Sequence, residues 1–561
     1  MSTVSSPGVP RRPGRPTLRT RHLRAHLLVA ARLSAGGLAL FLVVPAAAAA
    51  HGVAYSRGRT GTARALAIAS LVGSPGCRPP DAPCGGGSPR RCHPTPTGQE
   101  ALVQSVIIIG GGISGLTAAW HLRSRAEVTV VESGPQPGGI LRSGTVAGVP
   151  VDDGAEAMLA LRPEAVDLAE AAGLGGDLVT PARAPVTMWT RGTLRAMPTG
   201  HVMGIPTDLA ALRDTGLLSP DGLARLAREE ELPAALLEGD ISVGAYLADR
   251  LGREVVDRLV EPLLGGIYAG RADRISLRAA LPGVADIAAR GGSLLDALRS
   301  GARGRTGAPP AVMKGLCGGL ARLPRTLADS CGARVLTRTR ARELHRTPTG
   351  WRVVLSGPAP HALEADAVVL AAPAYAAAPL LRPHAPVAAR ELNAIEHASM
   401  ALVTLAFERA QMPGGVPRGN GFLVPPVEGK AVKAATFLTN KWHWLAEAAP
   451  GTFILRASVG RLGEESLLGR EDGELAAVCL GELSDILGPL GRPVDFHVAR
   501  WARGLPQYSV GHLDAVRTVR DAVAALPGLE VCGAAYEGVG VAACVAGARD
   551  AALRIVERGE R

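Results

Sequence analysis

Aromatic side chains are scarce in this chain of 561 residues. Phenylalanine, tryptophan and tyrosine together make up 3% of it, whereas hydrophobic residues as a group make up 47%. Alanine, leucine and valine must therefore supply most of the core packing. The hydrophobic fraction is typical of a globular protein, and the length allows about three or four domains of ordinary size.

The chain also lacks any C-x-x-C pair, although it contains eight cysteines. This absence excludes a dithiol redox centre of that type, and no metal site is predicted. Scattered cysteines without a pairing pattern suit a reducing compartment. We therefore expect a cytoplasmic location.

Net positive charge is confined to the first part of the chain. The formal net charge is +11, but residues 1–100 contain 13 arginines and only two acidic residues. The remainder has 48 basic and 48 acidic side chains and is neutral overall. Because binding to a polyanion requires a basic surface, we do not expect a nucleic-acid partner.

Residues 1–102 form a basic, low-complexity leader rich in Arg, Pro, Gly and Ala, which favours disorder. Three interpretations stay open: a disordered native extension, a start assigned too far upstream of a true start near Val103, or a secretory signal or membrane anchor. The last interpretation rests on residues 33–50, which carry no charge. Pro45 and the weak hydrophobicity of alanine argue against an anchor.

A strand, a glycine-rich turn and a helix are predicted directly after the leader. Residues 106–109 form an apolar run suited to a strand buried on both faces. Gly110, Gly112 and Gly115 then give the spacing G-x-G-x-x-G. Such glycines allow a tight turn, close approach of the main chain to a pyrophosphate, and close helix–strand contact. The amides at the start of the helix favour the negative phosphates.

A carboxylate and a second glycine pair extend this signal. The apolar run 128–131 ends at Glu132, 17 residues after Gly115, where an acidic residue binds the ribose of an adenosine group. Gly138, Gly139 and Arg142 then resemble the G-G-x-x-R continuation of FAD-dependent amine oxidases and their relatives. The resemblance implies that FAD is the cofactor. No second G-x-G-x-x-G follows a strand in the sequence, so no nicotinamide site is predicted.

The remaining patterns predict an α/β fold in which a Rossmann-like FAD-binding domain is assembled from discontinuous segments. Residues 163–178 are expected to form a helix, and residues 186–197 a β-hairpin. The expected domains are listed here: FAD binding, 103–162, 312–375 and 501–561; a mixed α+β substrate domain, 163–199 and 376–500; a helical insertion, 200–311, with a linker at 302–311.

Four sequence blocks resemble the oxygen-dependent porphyrinogen oxidases of haem synthesis, which include coproporphyrinogen III oxidase and protoporphyrinogen IX oxidase. They are PTGHVMGIPTDL (198–209), EPLLGGIYAGRADRISL (261–277), WARGLPQYSVGHLD (501–514) and GAAYEGVGVAACVAG (533–547). The resemblance extends over about residues 104–557 in unbroken order. It implies a six-electron oxidation of a porphyrinogen to a porphyrin, with molecular oxygen as acceptor and hydrogen peroxide as product.

The resemblance also implies which residues bind FAD. They are Gly110, Gly111, Gly112, Ile113, Ser114, Gly115, Glu132 and Ser133 for the ADP half; Gly138, Gly139 and Ile140 for the approach to the flavin; Gly154, Ala155, Glu156 and Ala157 beside the isoalloxazine; Ala341 at the adenine; Trp501 near the flavin ring; and Val539, Gly540 and Val541 at its pyrimidine edge. Helix amides at the last position would stabilise an anionic reduced flavin.

The chain departs from the family pattern at several positions. Asp153 stands where an apolar residue is usual, Met158 where Phe is usual, and Ala542 where Pro is common. Leu161 replaces one of two basic residues and leaves Arg162 as the candidate ligand for a substrate propionate. A structural salt bridge is the alternative role for that arginine. No catalytic acid or base is predicted, because the histidines show no motif spacing.

Substrate choice within the family depends on pocket charge, since coproporphyrinogen III has four propionates and protoporphyrinogen IX has two. The Arg- and Ala-rich composition is typical of a high-GC bacterium, and in Gram-positive actinobacteria the resemblance implies the coproporphyrinogen type. Protoporphyrinogen IX is the alternative substrate. Another flavin desaturase or amine oxidase, and a non-catalytic carrier, are competing functions. At most peripheral membrane contact and transient contact with other haem-pathway enzymes are expected.

Overall fold

The computed structural model describes residues 104–184, 186–198, 200–233, 236–303, 312–358 and 361–559. The leader expected at residues 1–102 lies outside these residues, as does most of the linker expected at 302–311. Both expectations therefore stay predictions, as do the domain boundaries.

The strands are short in the first part of the chain and longer in the second. They are β1 (Ser105–Ile109), β2 (Glu127–Val131), β3 (Ser143–Val146), β4 (Val149–Asp152), β5 (Met158–Leu159), β6 (Leu178–Val179), β7 (Val186–Thr190), β8 (Thr193–Ala196), β9 (His201–Val202), β10 (Ile205–Pro206), β11 (Met313–Leu316), β12 (Arg334–Leu336), β13 (Arg340–Arg346), β14 (Trp351–Ser356), β15 (Ala362–Ala365), β16 (Ala367–Leu370), β17 (His397–Glu408), β18 (Gly421–Leu423), β19 (Val432–Phe437), β20 (Thr452–Val459), β21 (Asp495–Pro506) and β22 (Leu529–Val531).

The helices are concentrated between β10 and β11 and at the end of the chain. They are α1 (Ile113–Leu122), α2 (Glu164–Ala171), α3 (Leu209–Arg213), α4 (Pro220–Ala227), α5 (Val243–Leu251), α6 (Arg253–Val255), α7 (Glu261–Tyr268), α8 (Leu277–Ala280), α9 (Pro282–Arg290), α10 (Leu294–Arg303), α11 (Arg322–Ser330), α12 (Ala374–Leu381), α13 (Pro386–Ala394), α14 (Leu438–Lys441), α15 (His443–Ala448), α16 (Asp472–Leu487), α17 (His512–Ala524) and α18 (Val541–Gly559). A π-helical turn, Val256–Val260, joins α6 to α7.

A five-stranded parallel sheet has the order β12–β2–β1–β16–β22. This is the strand order of a doubly wound dinucleotide-binding sheet, and here distant parts of the chain supply its strands. Ile108 packs into the apolar cluster on one face, whereas Ile107 and Ile109 pack into the cluster on the other. Both faces are therefore buried, as the apolar run indicated. The predicted α/β class is confirmed.

A seven-stranded mixed sheet lies in the second part of the chain, in the order β21–β17–β20–β19–β18–β7–β8. The central strands pair antiparallel, and β17 pairs with β21 along most of its length. The predicted hairpin at 186–197 is confirmed, because β7 and β8 pair antiparallel. Helix α16 packs on one face through Leu475, Cys479 and Leu483. The opposite face carries Arg456, which contacts the loop after β4.

The helices between β10 and β11 pack around a separate apolar cluster, which includes Leu247, Leu259 and Leu264. Several of its helices begin at a polar residue whose side chain accepts a hydrogen bond from a first-turn amide, as Ser219, Ser242 and Ser276 do. Such caps satisfy amides that have no partner within the helix. Throughout the described residues, no helix combines the length and the apolar character that crossing a membrane requires.

The helix expected at residues 163–178 is shorter than predicted. It ends at Ala171, and a separate 3-10 turn follows at Gly175–Asp177. Gly173 adopts a positive φ of 83° between them. A left-handed glycine ends an α-helix, and the apolar spacing on which the prediction rested does not detect that conformation.

Candidate functional site

The first glycine turn has almost no space for side chains. Gly110 has a φ of +112°, and a Cβ atom there would lie 2.7 Å from the main-chain oxygen of Ala371. A Cβ on Gly115 would lie only 1.9 Å from the main-chain oxygen of Gly110. The turn between β1 and α1 can therefore close only with glycine at both positions. No side chain caps α1, so its first amides stay available to a ligand.

The second glycine turn packs directly against the first. The amide of Gly138 donates to the oxygen of Gly111 at 2.8 Å, and Gly112 and Gly138 form an isolated parallel bridge. A Cβ on Gly139 would lie 3.1 Å from the Cα of Gly112. In contrast, a Cβ on Gly112 would meet only the Cα of Gly139, at 3.8 Å. Main chain is thus exposed for close approach by a ligand beside Gly112.

Glu132 lies at the end of β2 and connects this turn to the next loop. One carboxylate oxygen accepts from the amide of Gly111 at 2.8 Å, and the other accepts from the amide of Gly134. The main-chain oxygen of Glu132 accepts from the amide of Thr339, 2.9 Å away. This last bond fixes the start of β13, the strand that contains Ala341, next to the main chain of Glu132. Ser133, the next residue in the chain after Glu132, is exposed.

The loop Gly154–Ala157 follows β4 and lies against the second glycine turn. A Cβ on Gly154 would be 2.1 Å from the main-chain oxygen of Ile140. Glu156 is almost buried and forms ion pairs with Lys441, at 2.5 Å, and Arg456, at 2.9 Å. Burial alone raises the pKa of Glu156, but Arg456 and then Lys441 outweigh it and lower the pKa below its usual value.

Arg456 also fixes the main chain of this loop. Its guanidinium donates to the oxygens of Asp152, at 2.9 Å, and Gly154, at 3.2 Å. The Asp152 carboxylate accepts from the amides of Leu320 and Ala321 just before α11, at 3.1 and 3.2 Å. Burial nevertheless raises the pKa of Asp152 to about 6. A charged group at this position therefore costs free energy at neutral pH.

Trp501 lies on β21 and is held against Asp153, the residue just before this loop. Its indole N–H donates to the main-chain oxygen of Asp153 at 2.5 Å. The guanidinium of Arg142 stacks 4.4 Å from the centre of the Trp501 ring. The arginine of the G-G-x-x-R run and the tryptophan of a distant block therefore meet.

The segment before α18 completes the site. Helices α1 and α18 pack against each other, and a side-chain hydrogen bond joins Ser114 to Cys544 in their first turns, so their N-terminal ends lie close together. Gly540 is exposed, and a Cβ added there would meet no atom within 4 Å. The start of this helix of 19 residues is therefore open beside Val539, and its first amides form the positive end of the helix dipole.

Arg162 follows the Gly154–Ala157 loop at a short distance along the chain. Its guanidinium lies 3.5 Å from the carboxylate of Glu164, and about a third of its side chain is exposed. A pair of this length and exposure contributes little to stability. Arg162 is therefore available to a substrate carboxylate, and its substrate role stays a prediction.

The structure brings the glycine turns, Glu132, the start of β13 and the Gly154–Ala157 loop into direct contact, and it joins Trp501 to Asp153, just before that loop. Sequence reasoning missed Arg456, Lys441 and Asp152, which hold the loop. One signal was present: Arg456 interrupts the apolar run TFILRASV of β20. A single arginine in the centre of a buried strand needs an anionic or carbonyl partner.

The chain matches the family described as flavin containing amine oxidoreductase over residues 113–556. It is 36% identical over 465 residues to a protein of Mycobacterium tuberculosis named coproporphyrinogen III oxidase, and this match covers 81% of the chain and 98% of the relative. It is 30% identical over 494 residues to human protoporphyrinogen oxidase, which covers 81% of the chain and 98% of that relative.

A solved structure gives the same assignment. A crystal structure from Exiguobacterium, provisionally named protoporphyrinogen oxidase, has a TM-score of 0.73 and 32% identity to this chain. The superposition covers 81% of this chain and 99% of the other. These matches identify a flavin as the cofactor class, in agreement with the glycine turns. The chain belongs to the flavin-containing amine oxidoreductases and, within them, to the porphyrinogen oxidases.

Proposed function

We propose that this protein is an FAD-dependent oxidase that converts coproporphyrinogen III to coproporphyrin III, with molecular oxygen as acceptor and hydrogen peroxide as product. One observation carries the proposal. The relative named coproporphyrinogen III oxidase matches almost from end to end. The residues that contact one another around the two glycine turns are also those that the family resemblance assigns to the cofactor.

FAD, rather than a mononucleotide, fits the residues present. Gly112 and Gly139 pack closely and leave main-chain atoms uncovered beside them. A side chain at either glycine would fill the space that a diphosphate needs. Glu132 stands at the end of β2, where a carboxylate binds an adenosine ribose, and Ala341 lies nearby. These features support an adenine half in addition to the diphosphate.

The protein's own part in the reaction is binding, orientation and electrostatic stabilisation. When bound, the flavin supplies the two-electron acceptor. The α1 amides would hold its diphosphate, and the Gly154–Ala157 loop, fixed by Arg456, would hold the neighbouring part of the cofactor. The amides of Gly540 and Val541 favour negative charge at the start of α18.

Arg162 is the proposed ligand for a substrate propionate. It lies five residues beyond the end of the Gly154–Ala157 loop and three beyond β5, and its partner Glu164 holds it only loosely. A mobile guanidinium can bind a carboxylate through two hydrogen bonds. This arrangement supports a propionate-bearing substrate, although a structural role alone would give the same ion pair.

Protoporphyrinogen IX oxidation is the second candidate function. The human relative and the Exiguobacterium structure carry that name, and both match over most of this chain. Their matches have lower identity than the match to the mycobacterial protein. We propose a cytoplasmic location for either activity, since the described cysteines, Cys317, Cys331, Cys479, Cys532 and Cys544, are all free.

The experiment compares the two porphyrinogens with the full-length, FAD-loaded protein in air. Formation of the porphyrin is followed by its fluorescence, and hydrogen peroxide is measured in parallel. We expect kcat/KM to be at least about tenfold higher for coproporphyrinogen III, a difference of about 1.4 kcal/mol. A reversed preference would replace the proposal by the second candidate, and oxidation of neither compound would refute both.

A further inference from the structure

An ion pair joins the loop after β4 to β21 beside the proposed flavin site. The Nε2 atom of His497 lies 2.7 Å from a carboxylate oxygen of Asp153. Their side chains are 29% and 16% exposed, so the pair is partly shielded from water. Asp153 is also one of the positions at which this chain departs from the family pattern.

Gly144, on β3, provides the space for this pair. A Cβ on Gly144 would lie 2.1 Å from Nε2 of His497 and 2.6 Å from two ring carbons. The φ angle of Gly144 is not positive, so its backbone conformation does not require glycine. The imidazole ring is therefore the reason that no side chain fits there. Gly144, Asp153 and His497 form a matched set.

The main chain of Asp153 contacts two groups of the flavin site. Its oxygen accepts from the indole N–H of Trp501, and its amide donates to the main-chain oxygen of Arg142 at 2.8 Å. The next residue, Gly154, begins the loop that lies against Ile140. The ion pair with His497 holds the side chain of Asp153. Because the main chain of Asp153 contacts Trp501 and leads into the Gly154–Ala157 loop, this pair also helps to position both.

We propose that Asp153 and His497 are positioning residues for the flavin site, and that protonated His497 holds Asp153, and through it Trp501 and the Gly154–Ala157 loop, in the binding geometry. When His497 is neutral, the charge-assisted bond is lost and the tether weakens. This inference rests on the proposed FAD site and adds a pH-dependent control to it.

The surroundings of His497 set the pH range. The hydrogen bond to Asp153 raises the pKa of His497 above its usual value, burial opposes this, and Asp472 on α16 and Asp495 on β21 raise it further. A histidine whose pKa is raised by folding contributes its full stabilisation below its ordinary pKa. That stabilisation is lost as the pH rises through the raised value. The site should therefore loosen from neutral pH upward.

The first test measures the affinity of the full-length apoprotein for FAD, from the change in FAD fluorescence, between about pH 6 and about pH 9. For the wild type we expect affinity to fall by about tenfold over this range, equivalent to one unit of pKa. Asp153→Asn should bind FAD more weakly at the acidic end and lose the pH dependence. His497→Gln, whose amide can donate to Asp153 but carries no charge, should show the weaker alkaline affinity of the wild type at every pH, without pH dependence.

A surface histidine provides the matched control. His443 pairs with Glu447 on α15 and is almost fully exposed, so His443→Gln should leave the wild-type profile unchanged. Equal pH dependence in the wild type, Asp153→Asn and His497→Gln would overturn the inference. Failure of the wild type to bind FAD at any pH would instead refute the proposed function, so the two failures are distinguishable.

A second test uses the matched fit of Gly144 and His497. Gly144→Ala places a methyl group inside the imidazole ring and should weaken FAD binding as much as Asp153→Asn does. In a His497→Ala background that methyl group has free space, so Gly144→Ala should cost no further affinity. Additive losses in the double variant would show that the two residues act separately and would contradict the inference.

Discussion

The main-chain oxygen of Gly110 occupies the space that a side chain on Gly115 would need, 1.9 Å from its Cβ position. Both atoms belong to backbone, so neither can move without opening the β1–α1 turn. We predict that Gly115→Ala destabilises the protein by about 3 kcal/mol or more, even without FAD. Urea unfolding of the apoprotein measures this loss, and unchanged stability would contradict the described turn.

Gly112 gives the opposite prediction, because a Cβ there meets only Gly139, at 3.8 Å. Gly112→Ala should leave the apoprotein's stability within about 1 kcal/mol of the wild type. It should nevertheless weaken FAD binding by about tenfold or more, since the methyl group would occupy the proposed diphosphate position. Titration of both apoproteins with FAD checks this, and equal affinities would place the diphosphate elsewhere.

Removal of Arg456 should be the most damaging single change to the Gly154–Ala157 loop. Arg456→Met leaves Glu156 with Lys441 as its remaining ion-pair partner and removes the bonds to two main-chain oxygens. We expect a loss of about 3–5 kcal/mol, as for other broken buried ion pairs. Lys441→Met is the matched control and should cost less, because Lys441 is 21% exposed. Equal losses in thermal or urea unfolding would refute this order.

Asp152 should make the protein less stable as the pH rises. Burial raises the pKa of Asp152 from 3.8 to about 6, so folding favours the protonated carboxyl group. The stability of the protein is therefore highest below about pH 3.8, where the group is protonated in both states, and it falls as the pH rises through about 6. That shift corresponds to about 3 kcal/mol. In Asp152→Asn, this part of the pH dependence should disappear, although one hydrogen bond to the Leu320–Ala321 segment is lost. Parallel unfolding profiles of wild type and variant between about pH 4 and about pH 7 would contradict this prediction.

Variants of Arg162 and Glu164 distinguish a role in substrate binding from a role in structural stabilisation. If Arg162 binds a propionate, Arg162→Ala should raise the KM for coproporphyrinogen III by about tenfold and leave kcat within about twofold. Glu164→Ala removes the same ion pair and should leave KM unchanged. If both variants lose stability equally and neither changes KM, the ion pair is structural and the substrate role is wrong.

The features that were predictable from the sequence are local in the chain. Gly110, Gly115 and Glu132 belong to one strand–turn–helix–strand unit. Within such a unit, the number of residues between two positions indicates whether they come close in space. The apolar runs and the family resemblance also predicted the α/β class and a Rossmann-like domain built from discontinuous segments, but not the strand order of its sheet. These parts of the fold can therefore be predicted from the sequence alone.

The contacts that hold the Gly154–Ala157 loop and Asp153 were not predictable, because the two partners in each contact are about 300 residues apart in the chain. Arg456 meets Asp152, and His497 meets Asp153, only after β20 and β21 take their register against β17. A shift of one residue would turn each side chain to the opposite face of the sheet. A single sequence contains no direct signal for that register, which depends on the packing of the complete sheet.

The most direct test of the account is anaerobic mixing of the full-length, FAD-loaded protein with coproporphyrinogen III. We predict that the absorbance of the oxidised flavin disappears on mixing and that admission of air restores it, with porphyrin fluorescence and hydrogen peroxide appearing together. A flavin that stays oxidised in the presence of both coproporphyrinogen III and protoporphyrinogen IX would contradict the central claim and leave only the fold.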